Sequence, residues 1–314
     1  MIRRRRQRAK KPHFAILVNK KAENYDPKAV TRLTAAIKSA GGYHSVFEPS
    51  TAMNMMLQAR VAVGQDKPTG ELQLPFARGG KISALIACGG DGSFNLVARA
   101  GLQADLPVGV LPLGKFNNIA RSLYGSAVPS EVTKRLLDGA YEKIDIGRVA
   151  DQYFFGSVGL GFVSHLAEEL EGRALPRFAI GWSQVGSKAA AGVPVRKSVL
   201  KVDSFRFEAS PVIININLLP YSAGLPLSPA SIADDGMAEI ILDQGNKPGD
   251  FSAYTRLIFK KKYLYGNEVR LYRGREITIQ PLRGRMLYLD GELLKLPTDI
   301  LEIKVENKKL SVIR

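Results

Sequence analysis

The chain has 314 residues, 45 Lys and Arg against 29 Asp and Glu, a formal net charge of +16 and 45% hydrophobic residues. That balance excludes wholesale disorder and collagen-like repeats, and no run of 18 apolar residues offers a membrane-spanning helix. The single cysteine, Cys88, cannot close an internal disulfide, so a reducing, cytoplasmic setting is expected.

Residues 1–11 carry five Arg and two Lys and no acid. So dense a cationic block suits an anionic partner. The expected partner is the anionic inner face of a membrane, where each cation near the surface contributes about 1 kcal/mol. No nucleic-acid motif accompanies the tail, so nucleic acid is not expected. Residues 14–18 (FAILV) are a short continuous apolar run, the pattern of a strand buried on both faces. Residues 26–40 read as a helix, with Val30, Leu33 and Ile37 at helical spacing, Pro27 early and Gly41 at the stop. Residues 45–48 suit a second strand. Residues 51–63 suit a helix with Met53, Met56, Leu57 and Val61 on its apolar side. Residues 64–81, rich in Gly, Pro and charge, predict a long surface loop. Residues 82–88 predict another buried strand, 94–100 a helix, and 107–112 a strand that turns into a further helix. Strands alternating with helices mean a parallel sheet covered on both faces.

From about residue 144 the texture changes. Strand patterns recur at 144–149, 153–158, 199–202, 205–209, 212–217, 238–242, 268–272, 276–280 and 285–289, with helices only at 163–171, 177–191 and 251–264. This predicts an antiparallel, β-rich second domain. The expected organisation is a basic tail over 1–11, an α/β domain over 12–143 and a β-rich domain over 144–305.

Gly89-Gly90-Asp91-Gly92-Ser93 falls where a parallel strand ends and a helix begins, the edge at which open α/β sheets bind ligands. Glycines let consecutive backbone N–H groups approach a phosphate, and the helix N-terminus favours its charge. Asp91 is the odd member, since a carboxylate beside phosphates repels them unless it holds a metal, a proton or a hydroxyl.

This turn, followed by Asn95, resembles the GGDGT-x-N element of the diacylglycerol kinase catalytic family, which includes ceramide and sphingosine kinases and, more distantly, NAD kinases. Residues 111–120 (LPLGKFNNIA) are similar to that family's LPLGTxNDFA. Leu227-Ser228-Pro229-Ala230 with Asp234-Asp235-Gly236 resembles its P-x-A…DDG segment, and Asp290-Gly291-Glu292 its late DGE. The four elements stand in the family's order.

The resemblance implies an α/β nucleotide-binding domain joined to a sandwich-like β domain, with the last strand, about 306–314, returning to the first domain. It implies an ATP- and Mg2+-dependent kinase that phosphorylates a lipid alcohol such as diacylglycerol, ceramide or a sphingoid base while peripherally associated with the membrane. By the same resemblance Gly89, Gly90, Asp91, Gly92, Ser93, Gly114 and Asn117 cradle the ATP phosphates and Asn19 lies near the nucleotide. Asp290 is the expected general base, Glu292 its assistant or a magnesium ligand, Asp91 a further catalytic carboxylate, and Asp235 a ligand of structural Mg2+. The chain departs from the pattern at Lys115, where the family has Thr, and at Asn118, where it has Asp. Residues 19–23 (NKKAE) lack the family's Pro and Gly. Lys115 is expected to attract ATP as a point charge. An NAD kinase-like enzyme and a non-catalytic protein that binds nucleotide or anionic membrane remain as alternatives.

For the acceptor, Phe154, Phe155, Val158, Leu160 and Phe162, with Leu175, Phe178, Ile180 and Trp182, are candidates to line an apolar pocket. Residues 177–191 suit a lid, and residues 251–264, running into Lys260-Lys261-Lys262, a surface helix. His13, His44 and His165 have no metal-ligand spacing.

Overall fold

The structure, a computed structural model, describes residues 11–67, 81–138, 140–245, 256–260 and 262–314. The tail before Lys11, most of the expected 64–81 loop and the first turns of the expected 251–264 helix lie outside them. No helix among the described residues is long and apolar enough to cross a membrane.

The α/β half begins with β1 (His13–Val18), β2 (Tyr43–Phe47), β3 (Ala84–Gly89) and β4 (Val108–Pro112), all parallel, in the order β2-β1-β3-β4. All residues of β1, β3 and β4 are buried, which is why they read as unbroken apolar runs. Helix α1 (Pro27–Ser39) is capped by Asp26, whose carboxylate accepts from Lys28 N, and α2 (Ala52–Ala62) by Thr51, which accepts from Asn54 N. The buried face of α2 is Met55, Ala59 and Val61, while Met53 is 61% exposed. Of the four residues expected on the apolar side, Val61 is buried, Met56 and Leu57 are half-buried and only Met53 is exposed; the buried stripe runs instead through Met55 and Ala59. Helix α3 (Asp91–Ala104) starts three residues before the expected point, so the glycine turn forms its first turn. Helices α4 (Asn118–Tyr124) and α5 (Pro129–Asp138) follow, and the short apolar pattern of α5 was not anticipated.

Strand β5 (Tyr141–Val149) forms a hairpin with β6 (Gln152–Phe154). The expected single strand over 153–158 is split. Phe154 ends β6 in one sheet, and Ser157 opens β7 (Ser157–Gly161) in the other. Helices α6 (Phe162–Leu170) and α7 (Ala179–Ala191) come next. The first sheet continues through β8 (Ser198–Val202), β9 (Phe205–Ala209), β13 (Glu276–Gln280) and the long β16 (Leu301–Ile313). Its order is β2-β1-β3-β4-β16-β13-β8-β9, with β5 and β6 attached to β16. β16 pairs antiparallel with β5 and, at Val312, parallel with Val108 of β4, so the last strand returns to the first sheet.

The second sheet is antiparallel: β12 (Val269–Gly274), β11 (Ala238–Asp243), β10 (Ile213–Asn217), β7, β14 (Leu287–Leu289) and β15 (Glu292–Leu294). Asp290 and Gly291 join β14 to β15 with φ of 46° and 99°, the pair of positive angles that a two-residue hairpin turn requires and that Asp-Gly accommodates. This turn carries the last motif from the second sheet to the N-terminus of α3.

Candidate active site

The floor of the site is two backbone turns in contact. Leu113 N donates to Gly89 O at 2.9 Å, and a Cβ on Gly114 would collide with the Cα of Gly90. Asn117, at φ 52°, holds the second turn from within. Its Oδ1 accepts from Gly114 N at 2.9 Å and its Nδ2 donates to Gly114 O at 2.7 Å. Asn24, not singled out in the sequence, donates to the same carbonyl at 2.7 Å. Asn19, just past β1, donates to Ser93 Oγ at 3.0 Å, and its own Oδ1 accepts from Lys21 N. No side chain caps α3 at Gly90, so its first N–H groups are left for an anion.

These turns bound a cleft of about 600 Å³. Of the expected nucleotide residues, Asn19, Gly90, Gly92, Ser93, Gly114 and Lys115 line it, joined by Glu23 and Glu292. Gly89, Asp91 and Asn117 do not; they lie behind the surface and shape it. Lys115 Nζ donates to Leu170 O at 2.5 Å and pairs with Glu23 at 3.2 Å, so this ammonium already ties the cleft edge to the end of α6.

Asp91 is buried and caps α4 from behind the cleft. Its Oδ2 accepts from Asn118 N and Nδ2 at 3.0 and 3.1 Å, and its Oδ1 from Ile119 N at 2.9 Å. Burial pushes its carboxyl up to about 7, against the pull of these bonds and with a further push from the Asp290 charge. Its place is therefore that of a helix cap, not of a group turned toward phosphates. Asn118 links this cap to the second sheet: its Nδ2 also donates to Tyr288 Oη at 3.0 Å, and its Oδ1 accepts from Gly224 N at 2.9 Å. An aspartate at 118 would set a second charge against Asp91, so the amide suits this arrangement. Spacing gave no sign of this link, because Tyr288 is 170 residues away.

Asp290 is 3% exposed. The sheet-switching segment supplies three of its partners: Phe155 N to Oδ2 at 2.6 Å, and Gly156 N and Ser157 N to Oδ1 at 2.8 and 2.9 Å. Asn95 Nδ2 reaches Oδ2 at 3.2 Å. Burial raises its carboxyl above the usual range, with these four donors pulling the other way. Two residues on, Glu292 is exposed and its carboxylate has no hydrogen bond among the described residues. Its Oε1 lies 2.9 Å from where a Cβ on Gly92 would stand, directly over the glycine turn. The unpaired carboxylate of Glu292, and that of Glu23 once Lys115 leaves it, offer hard oxygens of the kind Mg2+ takes in a cleft open to phosphates.

Asp235 lies elsewhere. Its Oδ1 accepts from Met237 N at 3.0 Å, and its Oδ2 pairs with the Arg273 guanidinium, which also reaches Glu239 at 3.1 Å. Neighbouring Asp145 is occupied by Gly236 N, Lys308 N and Asn307 Nδ2. Among the described residues no group of three or more His, Cys, Asp or Glu is arranged around a metal. The expected structural Mg2+ does not fit at Asp235, because a guanidinium already supplies the positive charge. The expected acceptor pocket is corrected as well. Phe154, Phe155, Val158, Leu160 and Phe162 are core residues, each at most 1% exposed, whereas Phe178 and Ile180 on and beside α7 are 75% and 71% exposed.

Residues 13–149 match the family model of the diacylglycerol kinase catalytic domain. A Staphylococcus aureus diacylglycerol kinase is 25% identical over 232 residues, covering 70% of this chain and 71% of that protein. A Bacillus subtilis diacylglycerol kinase is 23% identical over 216 residues, covering 66% and 70%. The crystal structure of a diacylglycerol kinase from Bacillus anthracis superposes with a TM-score of 0.70 at 15% identity over 96% of each chain. A further crystal structure from that organism gives 0.75 at 18% identity over 98% of each. At such identities the structural likeness concerns the fold, an α/β half with parallel strands beside an antiparallel sheet. With three of its four motifs gathered around one cleft and residues 13–149 matching that catalytic domain, the comparisons support a place for the chain in the diacylglycerol kinase catalytic-domain family of lipid kinases.

Proposed function

We propose that the chain transfers the γ-phosphate of ATP to the hydroxyl of a lipid alcohol, with diacylglycerol the leading acceptor and ceramide or a sphingoid base the alternatives. The observation that carries this reading is the meeting of the Gly90 and Gly114 turns under an uncapped helix N-terminus, with the Asp290–Glu292 hairpin turn above it. Phosphoryl transfer asks a protein mainly to position groups and offset charge. Gly90, Gly92, Ser93 and Gly114 hold the phosphates, and Asn19 keeps Ser93 oriented. Lys115 meets the nucleotide once Glu23 and the Leu170 carbonyl release it. Glu292 and Glu23 are the groups that would hold Mg2+, which when bound offsets phosphate charge.

Asp290 takes the proton of the acceptor hydroxyl. Its bond from Asn95 is the longest of the four and the only one from a side chain, so it is the one an entering hydroxyl replaces. A carboxyl raised by burial is a better base than a solvated one. The 12–143 and 144–305 segments act as nucleotide and acceptor halves, with the cleft between them. Residues 1–11 and the exposed Phe178 and Ile180 recruit the enzyme peripherally to the anionic inner face of a membrane.

The test is transfer from labelled ATP with Mg2+ to detergent-dispersed diacylglycerol, monoacylglycerol, ceramide and sphingosine, with NAD included and Asp290→Asn alongside. Labelled lipid that disappears in the variant is the expected result. Labelled NAD would favour the NAD kinase reading, and ATP binding without any product would favour a non-catalytic protein.

A further inference from the structure

A second cavity, of about 310 Å³, opens at the other end of β7 from the catalytic cleft. Ser157, at the start of β7, holds Asp290, while Leu160 and Gly161, at its end, line this cavity. Four residue steps along the strand separate the two ends by about 13 Å. The other walls come from α6, the segment after α7, β10 and the loop before β14.

Three cations line it: Arg196, Arg285 and Lys295. Among the described residues none of them has a carboxylate within ion-pair distance. The one acid in the lining, Glu168, sits 3.6 Å from His165 Nδ1. Arg285 is half-buried and only partly satisfied. Its Nη2 donates to Ser198 Oγ at 2.7 Å, but its Nε is buried with no hydrogen-bond partner among the described residues. Arg196 spends one N–H on Arg283 O at 3.1 Å. Burial, and then the Arg196 charge beside it, pulls the Arg285 guanidinium below its ordinary range. Two guanidiniums sharing a partly buried wall, without a counter-charge, repel each other and leave donors unspent. An anion that accepts from both relieves each cost. Leu160, Ile214 and Met286 add an apolar floor to the same lining. Forked donors over an apolar floor suit a tetrahedral oxyanion.

We propose that this cavity is an anion site, separate from the nucleotide cleft, that takes a phosphate group through Arg196, Arg285 and Lys295. The phosphate arrives either on a soluble molecule or as the headgroup of an anionic phospholipid.

The experiment uses the full chain with its catalytic cleft filled by a non-hydrolysable ATP analogue. Inorganic phosphate is titrated calorimetrically and by thermal shift, and phosphatidylglycerol vesicles are compared with phosphatidylcholine vesicles by co-sedimentation. Arg196→Gln and Arg285→Gln are each expected to weaken phosphate binding tenfold or more, and Lys295→Gln about threefold. Lys295 is exposed, and the Arg196 guanidinium has a single backbone partner, so these two carry the test if Arg285→Gln does not fold. Weaker binding of inorganic phosphate in the variants identifies a soluble source. Loss of phosphatidylglycerol co-sedimentation in the variants identifies a headgroup. If filling the cleft abolishes phosphate binding, or the Arg196 and Lys295 variants change neither readout, the proposal is overturned.

Discussion

Two Asp-Gly turns in the β-rich half, Asp290-Gly291 and Asp235-Gly236, look alike as sequence and are held in opposite ways. Asp290 is held by neutral dipoles: three backbone N–H groups and one amide. Asp235 is held by a full positive charge, the Arg273 guanidinium. Dipoles position a carboxylate without cancelling its charge, so burial still pushes the Asp290 carboxyl upward and favours taking a proton. A guanidinium cancels the charge, leaving a structural group whose face toward a cation is already taken.

The largest effect expected from breaking this contrast is at Asp290. Asp290→Ala leaves the N–H groups of Phe155, Gly156 and Ser157 buried without acceptors, at a cost of about 3–5 kcal/mol in stability. Denaturant unfolding measures that loss, and transfer to lipid falls to background. Glu292→Gln, two residues away and exposed, changes stability by less than about 0.5 kcal/mol. It lowers kcat about a hundredfold, within the range for one positioned acid–base or charge-holding group. Equal stability losses in the two variants would mean that the hairpin turn is one structural unit with no division of roles.

Next in size is the contact that forms the floor. Gly114→Ala drives a methyl into the Cα of Gly90, a backbone atom that cannot rotate away. A loss of about 1–3 kcal/mol is expected, together with weaker ATP binding. Unchanged ATP affinity, read by calorimetry, would place the nucleotide away from the two turns.

What the sequence revealed and what it hid divide along the same physical line. Unbroken apolar runs marked β1, β3 and β4, because parallel strands covered on both faces need nothing else. The glycines at 90 and 114 were legible because a backbone-to-backbone approach admits no side chain. Charge compensation was not legible. Arg273 meets Asp235 across 38 residues, and Asn118 meets Tyr288 across 170, with no periodicity to announce either pair. The sheet switch at Phe155 was hidden for a related reason: one apolar run serves two sheets, and only the three N–H groups on Asp290 mark where it turns.

A smaller effect follows from pH. The folded-state carboxyl of Asp91 is raised to about 7 from an ordinary 3.8, so the folded chain binds this proton more tightly than the unfolded one. The stability contributed is fully present below the ordinary value and is lost as pH rises toward 7. Unfolding free energy is therefore expected to decline between pH 4 and 7 through this group, and Asp91→Asn flattens that part of the profile. A wild-type slope unchanged in the variant would assign the decline to other groups, Asp290 first among them.

The smallest effect is expected at Asp235, where the contrast meets its most direct test. The Asp235 and Arg273 side chains are 25% and 42% exposed, so their pair is partly screened by solvent. Asp235→Asn keeps the shape and an acceptor for Met237 N while removing the charge, and less than about 1 kcal/mol is expected. Mg2+ is expected to shift the melting temperature equally in wild type and variant, because the guanidinium already occupies the face a cation would need. A Mg2+-dependent rise in the wild type that vanishes in Asp235→Asn would mean that Arg273 swings away and the turn accepts a metal. The two Asp-Gly turns would then differ in their resting partners and not in their capacity.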